Sequence, residues 1–483
     1  MARRRLVAVS LLAAVLVSAN VLSAFGSGEP QESFLYKNFV RASDVLDRAV
    51  AAHGGAELLD RAVNVRLSFT GTLVSEGHYA RPWAHNDYRL DAALIYSAEL
   101  RAVKSEMTAN YDRPQASFTI VGPANGLTVD VGGSRPDSIP EKELGARLRG
   151  ELEILPQEYL RQARAGAAGL RLLSGSDDYE VLTYTLDSGE GRALFFDANT
   201  HLLMRVERIG HWKHKGDRLE WRTFTEYVER DGIRVPLRSE VHSEGSSDQF
   251  NVLSEIAKVE FGARVRADEF SIPAAFQGGF EGWTLQKPKT ESTDELLPSH
   301  DLGKGVYIIE LSKSRSLLVA FSDFAVVVEA GDYSEISARL LATADHLLPD
   351  KPVRYVAMSH HHPLYASGLR PYVQRGITVL ATAGDVDYYR DLTTRPYRIH
   401  PDEQQRKPRE PKFEVIDKTR IIRDKKQRLE FYEFDYSTHT DEFVLTYLPS
   451  HKLIVTGDLV YILRDAELRP ANSRERAVHR LVT

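Results

Sequence analysis

Three imidazoles and one carboxylate carry the chemistry that this chain could perform. His360 and His362 stand two residues apart, just past the apolar run Arg354-Tyr355-Val356-Ala357-Met358. In extended chain, residues i and i+2 project to the same side, so both rings can reach one ion. His439 follows the strand-like run Leu429-Glu430-Phe431-Tyr432-Glu433-Phe434 and completes a three-histidine set, which leaves a tetrahedral fourth position for water. Asp458 closes Leu453-Ile454-Val455-Thr456-Gly457, and its carboxylate can ligate the ion or orient that water. The chain has no cysteine. That excludes disulfides, thiolate metal sites and cysteine nucleophiles, so any ion is held by imidazole and carboxylate, a donor set suited to zinc or another divalent metal. One zinc on three histidines lowers the pKa of its water to about 7 without a second ion. By position alone, Tyr365 is the candidate proton donor to a leaving group. Each piece has a plainer meaning by itself: a histidine triplet is a polar loop, and Gly-Asp is a turn. Their order along the chain gives them weight together.

The elements that must position these residues come in two patterns. Ala42-Ser43-Asp44-Val45-Leu46-Asp47-Arg48-Ala49-Val50 has helical spacing within 35–65, and His53-Gly54-Gly55 stops it. From Val63 to about Ile272 alternating strands dominate, interrupted by a helical segment near 141–166 and punctuated by turns at Asp197-Ala198-Asn199-Thr200 and Asp231-Gly232. This predicts a long antiparallel meander behind a leading helix. Its histidines, His53, His78, His85, His211, His214 and His242, read as mostly exposed. Residues 276–300 are polar and aperiodic, and read as a linker.

From Gly305 dense strands alternate with helices: strands at 306–311, 316–321 and 324–329, a helix from Ser334 to Leu347, then strands at 354–358 and 378–382 with helices after each. That alternation predicts α/β layers. Glu329 and Asp332 sit at a strand end and read as loop or supporting groups. Residues 395–412 read as an exposed insertion, and Ser473 to Val482 as a last helix carrying His479.

The second pattern resembles the metallo-β-lactamase superfamily over about 305–465. The segments that carry the resemblance are "VVVEAGD", then "DKPVRYVAMSHHHPLYASGL", then "THTDEFVLTYLPSHKLIVTGDLV". The resemblance implies an αββα sandwich with a site at the sheet edges and hydrolysis by metal-bound hydroxide. It matches His360 and His362 to the first two histidines of H-x-H-x-D-H, His439 to the later isolated histidine, and Asp458 to the bridging aspartate. Leu364 stands where that motif has its aspartate and Tyr365 where it has its third histidine, so one ion at most is expected. The 25 residues after Asp458 hold no counterpart of the family's closing strand and final histidine, and the sandwich is expected to be short at that end. The first pattern, with "FFDANTHLLMRVE" and "YVERDGIRVPLRSEV", resembles the lipoprotein-carrier fold of the outer-membrane lipoprotein-sorting family over 35–275. That resemblance implies a curved sheet around an apolar cavity.

The expected fold is therefore α+β: a curved antiparallel sheet with a helix (35–275), a linker (276–300) and an αββα sandwich (301–483). Met1-Ala2-Arg3-Arg4-Arg5 followed by an apolar run from Leu6 to Ala24 predicts an export signal cleaved near Gly26, or an uncleaved anchor over residues 1–26. The body is then extracytoplasmic, periplasmic in a Gram-negative host. A formal charge of −6 and the lack of any nucleic-acid motif exclude a nucleic-acid partner. No G-x-S-x-G elbow, phosphate loop or dinucleotide fingerprint is present. The reading is an exported mono-zinc hydrolase of a small ester or amide. The alternative is a catalytically degenerate protein of the same fold that binds lipid or an envelope partner.

Overall fold

A computed structural model describes residues 33–482, apart from 62, 77–78, 111–113, 123–125, 130–136, 140, 167–168, 214, 245–250, 272–295, 312–313, 435–436, 438 and 461–469. The signal or anchor at 1–26 and most of the linker lie outside the described residues. The chain forms two compact units: residues up to 62 with 152–207 and 223–236, and residues 63–151 with 208–222 and 237–483.

The meander is present. Among the described residues one antiparallel sheet of thirteen strands runs through sequence neighbours, and its first strand, Asn64–Glu76, pairs with its last, Val252–Phe261. The leading helix spans Phe34–Ala52 and buries Ala42, Val45, Leu46, Ala49 and Val50, a stripe at i, i+3, i+4, i+7 and i+8. His53 ends it and overturns the expectation of exposure. It is wholly buried, with Nδ1 2.8 Å from the Ala49 carbonyl and Nε2 accepting from the Leu203 N–H at 3.4 Å. Burial holds its pKa down at about 4, so the ring is a neutral plug. His85, His211 and His242 are half-buried, while His78 and His214 lie outside the described residues.

A second sheet has seven strands. Ser299–Gly303, Val306–Glu310, Arg315–Ala320 and Ala325–Val328 are joined antiparallel, and Val353–Ala357, Thr378–Ala381 and Lys412–Val415 are added in parallel. Ser299 and His300, read from the sequence as the end of the linker, belong to its edge strand. A third sheet of four antiparallel strands runs Thr419–Arg423, Arg428–Phe434, Phe443–Leu448 and Leu453–Val455.

Side-chain alternation decides what each face meets. Ala325 and Val327 point toward Leu340, Leu341 and Ala344 of the helix Ser334–Leu347, and toward Tyr388, Tyr389 and Leu392 of the helix Val386–Thr394. Val326 and Val328 point the other way and share a core with Leu429, Phe431, Val444 and Leu448 of the four-stranded sheet. Every residue of Ala325–Val328 is buried, as a strand covered on both faces requires. On the far face of the four-stranded sheet, Phe443 and Leu445 pack with Leu459 and with Val478 of the helix Ser473–Val482.

The expected exposed insertion at 395–412 is tied down at two points. Tyr397 and Gln404 are buried, and the buried Arg370 spans the segment. Its guanidinium forks onto Asp402, donates to the Thr393 and Arg395 carbonyls, and lies 3.8 Å from the Tyr397 ring centroid. A fork of this kind satisfies most guanidinium donors at once, which lets an arginine be buried.

Candidate metal centre

The carboxyl ends of the sheet strands bring the four sequence-predicted residues together. The ring centroids of His360 and His362 are 4.4 Å apart, those of His362 and His439 4.5 Å, and those of His360 and His439 5.0 Å. One ligand atom from each histidine and from Asp458 lies within 4.8 Å of every other. The Asp458 Oδ1 is 2.9 Å from His439 Nε2 and 3.6 Å from His360 Nε2. Ligand atoms about 2.1 Å from a tetrahedral zinc lie roughly 3.4 Å from each other, so these two distances bracket that spacing.

Local structure explains how each residue arrives. Ser359 bridges the two sheets: its carbonyl accepts the Val444 N–H at 2.7 Å, and its own N–H donates to Glu329 Oε2 at 3.2 Å. The Ser359 Oγ lies 2.9 Å from His360 Nδ1, and the His360 ring stacks on Phe443 at 5.1 Å. His439 is carried on a turn in which the buried Ser437 Oγ accepts the Thr440 N–H at 2.9 Å and the His439 N–H at 3.3 Å. Asp458 follows Gly457 at φ +50°, where a Cβ would fall 2.4 Å from Ser359 Oγ. Only glycine lets the Asp458 turn pack this closely against Ser359 and the histidine bend.

The donor atoms fit an ion. His360 Nε2, His439 Nε2 and Asp458 Oδ1 are buried and make no hydrogen bond with the described residues. The 2.9 Å approach of His439 to Asp458 lacks hydrogen-bond alignment. Buried polar atoms without partners are costly, and convergent ones mark where a cation would satisfy them. Burial, reinforced by the neighbouring rings, drives the His360 pKa well below its usual range, so that imidazole is neutral, as a ligand must be. His362 sends Nε2 to the Tyr79 carbonyl at 3.1 Å. Tyr365 is buried, with its ring centroid 4.7 Å from that of His360. His479 is exposed on the last helix and is not one of the four clustered residues.

Glu329, read from the sequence as a loop or supporting group, takes the supporting place through Ser359, and two further groups near the site, Asp385 and Arg474, carry no readable sequence signal as its neighbours. Glu329 is fully buried at φ +72°, and burial pushes its pKa up to about 8. Asp385 accepts the Tyr389 hydroxyl at 3.2 Å and lies 3.5 Å from His361 Nδ1. Burial, then the charge of Glu442, raises its pKa to about 7. The Arg474 guanidinium approaches the Asp458 Oδ2 at 3.9 Å. Arg474 and Asp385 have ordinary surface meanings in sequence, and only the third dimension brings them here.

Solved structures similar to this chain include the metallo-beta-lactamase from Pontibacter korlensis, at 21% identity over 38% of this chain and 84% of that one, with a TM-score of 0.29. MEM-A1, a subclass B3 metallo-beta-lactamase from a soil metagenome library, is 17% identical over 32% and 59%, with a TM-score of 0.24. FIM-1 from Pseudomonas aeruginosa, in its mono-zinc form, is 16% identical over 34% and 69%, with a TM-score of 0.25. No protein-family model matches the sequence, and no curated protein matches it at a significant level.

Proposed function

We propose that this chain is a metal-dependent hydrolase on an αββα sandwich of the metallo-β-lactamase kind, holding one zinc ion and cleaving an ester- or amide-type bond in a small molecule. The observation that carries the reading is the convergence of His360, His362, His439 and Asp458, three of whose facing atoms are buried without hydrogen bonds. A divalent ion in that position supplies Lewis acidity and a water of pKa about 7.

The chain's own residues supply the rest. The three imidazoles would hold the ion through their lone pairs, and the Asp458 carboxylate, 2.9 Å from His439 Nε2, would orient the water and act as its proton acceptor. Tyr365, against the His360 ring, is assigned the proton donor to the leaving group. Export through residues 1–26, supported by Arg3-Arg4-Arg5 before an apolar run, and envelope association through the antiparallel sheet belong to the same reading. A second reading, binding without turnover, is favoured by one residue: Leu364 takes the place of a carboxylate that would handle protons and a second ion.

Metal content of the purified protein, with His360→Ala and His439→Ala beside it, tests the reading. One equivalent of zinc in the wild type and none in either variant is expected. A wild type with no zinc, iron or manganese after gentle purification sinks the hydrolase. If zinc is bound, the absence of turnover on a panel of esters and amides selects the second reading.

A further inference from the structure

The first hairpin of the antiparallel sheet reaches the metal centre. Its strands are Asn64–Glu76 and His85–Ser97, and the described part of its turn, Tyr79–Ala84, touches three different site segments. The Tyr79 carbonyl lies 3.1 Å from His362 Nε2. The Ala80 carbonyl accepts the Asp441 N–H at 2.8 Å, two residues beyond His439, and the Arg81 Nε donates to the Asp441 carboxylate. Trp83 packs edge-on against Tyr388 at 5.1 Å, and Tyr388 in turn lies 6.0 Å from His361.

We propose that this turn is a structural part of the metal centre, with the Tyr79 carbonyl acting as the positioning group that fixes the ligating nitrogen of His362. A carbonyl oxygen can only accept, so His362 Nε2 must carry the proton. A neutral ring with its proton on Nε2 keeps its lone pair on Nδ1, and Nδ1 is then the atom offered to the ion. The Ala80 and Arg81 contacts hold the loop bearing His439 against the same turn, so one hairpin sets the spacing of two ligands. This inference rests on the one-ion reading of the cluster, but its first test does not require the ion.

That test is ring-nitrogen NMR of the metal-free full chain, with His362 assigned by its absence in His362→Ala. The Nε2–H tautomer is expected, and an Nδ1–H tautomer overturns the proposal. The second test is zinc affinity by chelator competition in Arg81→Ala/Trp83→Ala. Both side chains are largely exposed, so the fold should tolerate their loss, and apo-protein melting within a few degrees of wild type checks this. Zinc binding weaker by about 10–100-fold is expected, the usual loss for an outer partner of a ligand, together with a mixed His362 tautomer. Arg81→Lys keeps the charge and should restore most of the affinity when Trp83 is intact. Unchanged affinity and tautomer in the double variant refute the proposal. A wild type that binds no zinc refutes the one-ion reading and leaves the tautomer result to decide the role of the hairpin.

Discussion

Gly457→Ala is the smallest change that should damage the metal centre without touching a ligand. The new Cβ would lie 2.4 Å from Ser359 Oγ, 2.9 Å from Ser359 Cβ and 3.2 Å from Phe443 Cζ. Ordinary contact begins near 3.4 Å, so Ser359 or the Asp458 turn must retreat by about 1 Å. Alanine at φ +50° adds about 1–2 kcal/mol of backbone cost. Overpacking at a buried position adds about 1–3 kcal/mol. The expected loss of stability is therefore about 2–5 kcal/mol, read by denaturant titration of the metal-free protein. If the strain is relieved by turning Ser359 away, His360 loses the partner of its Nδ1; if the turn moves, Asp458 leaves the cluster. Either way zinc affinity should fall by at least about tenfold in chelator competition. Adding Ser359→Gly to Gly457→Ala empties the contested space, so it should recover part of the stability but not the affinity. Stability within about 0.5 kcal/mol of wild type and unchanged zinc binding in Gly457→Ala would refute the close approach on which this account of the site depends.

Glu329→Gln should flatten the pH dependence of stability of the metal-free protein. The wild-type carboxyl titrates near 4.5 when unfolded and at about 8 when folded. Its stabilising contribution is thus complete below pH 4.5 and is lost as pH rises toward 8, about 3 kcal/mol by pH 7. Melting curves of variant and wild type that stay parallel between pH 4.5 and 8 contradict this. His53→Gln acts at the other end of the scale. The neutral ring, held at about 4 against an ordinary 6.5, makes the wild type lose stability as pH falls from 6.5 to 4, about 3 kcal/mol in total. Urea titrations across that window should show a shallower acid slope in the variant. Phe431→Ala, at a wholly buried position between the two smaller sheets, should cost about 3–5 kcal/mol. Val415→Ala, half-exposed on an edge strand, should stay within about 0.5 kcal/mol. Equal losses at the two positions would argue against the shared core.

Legibility in the sequence followed the range of the interactions involved. The helix Ser334–Leu347 was readable because its buried stripe repeats locally, and the strand Val353–Ala357 because polar residues follow Tyr355-Val356-Ala357-Met358. The four candidate ligands could be named because each sits at such an end, so strand boundaries and site positions are one signal. His53 was misread because a histidine after a helix looks like any polar stop, and partners distant in sequence, the Leu203 N–H 150 residues away and the Tyr227 ring, help make it a core residue. The segment 395–412 is largely exposed, as expected, but its anchoring at Tyr397 and Gln404 was not readable for the same reason. Asp402 looks like any of its solvated neighbours until Arg370 is seen gripping it. The hairpin turn was invisible because its contribution to the site is a backbone carbonyl, which has no letter.

The two histidines of the His360-x-His362 pair are held by opposite nitrogens, and geometry gives a reason. Their rings are 4.4 Å apart and inclined at 70° to each other. Both rings follow the strand Val353–Ala357 on the bend at 359–362, and their steep mutual inclination lets each meet a different support. Ser359 Oγ sits on Nδ1 of His360 and leaves Nε2 facing Asp458, while Tyr79 sits on Nε2 of His362 and assigns the lone pair to Nδ1. A hydroxyl one residue away and a carbonyl 283 residues away thus perform the same task, setting which face of each ring is basic. The short-range support is written in the motif itself, whereas the long-range one exists only after the first hairpin has folded against the histidine bend.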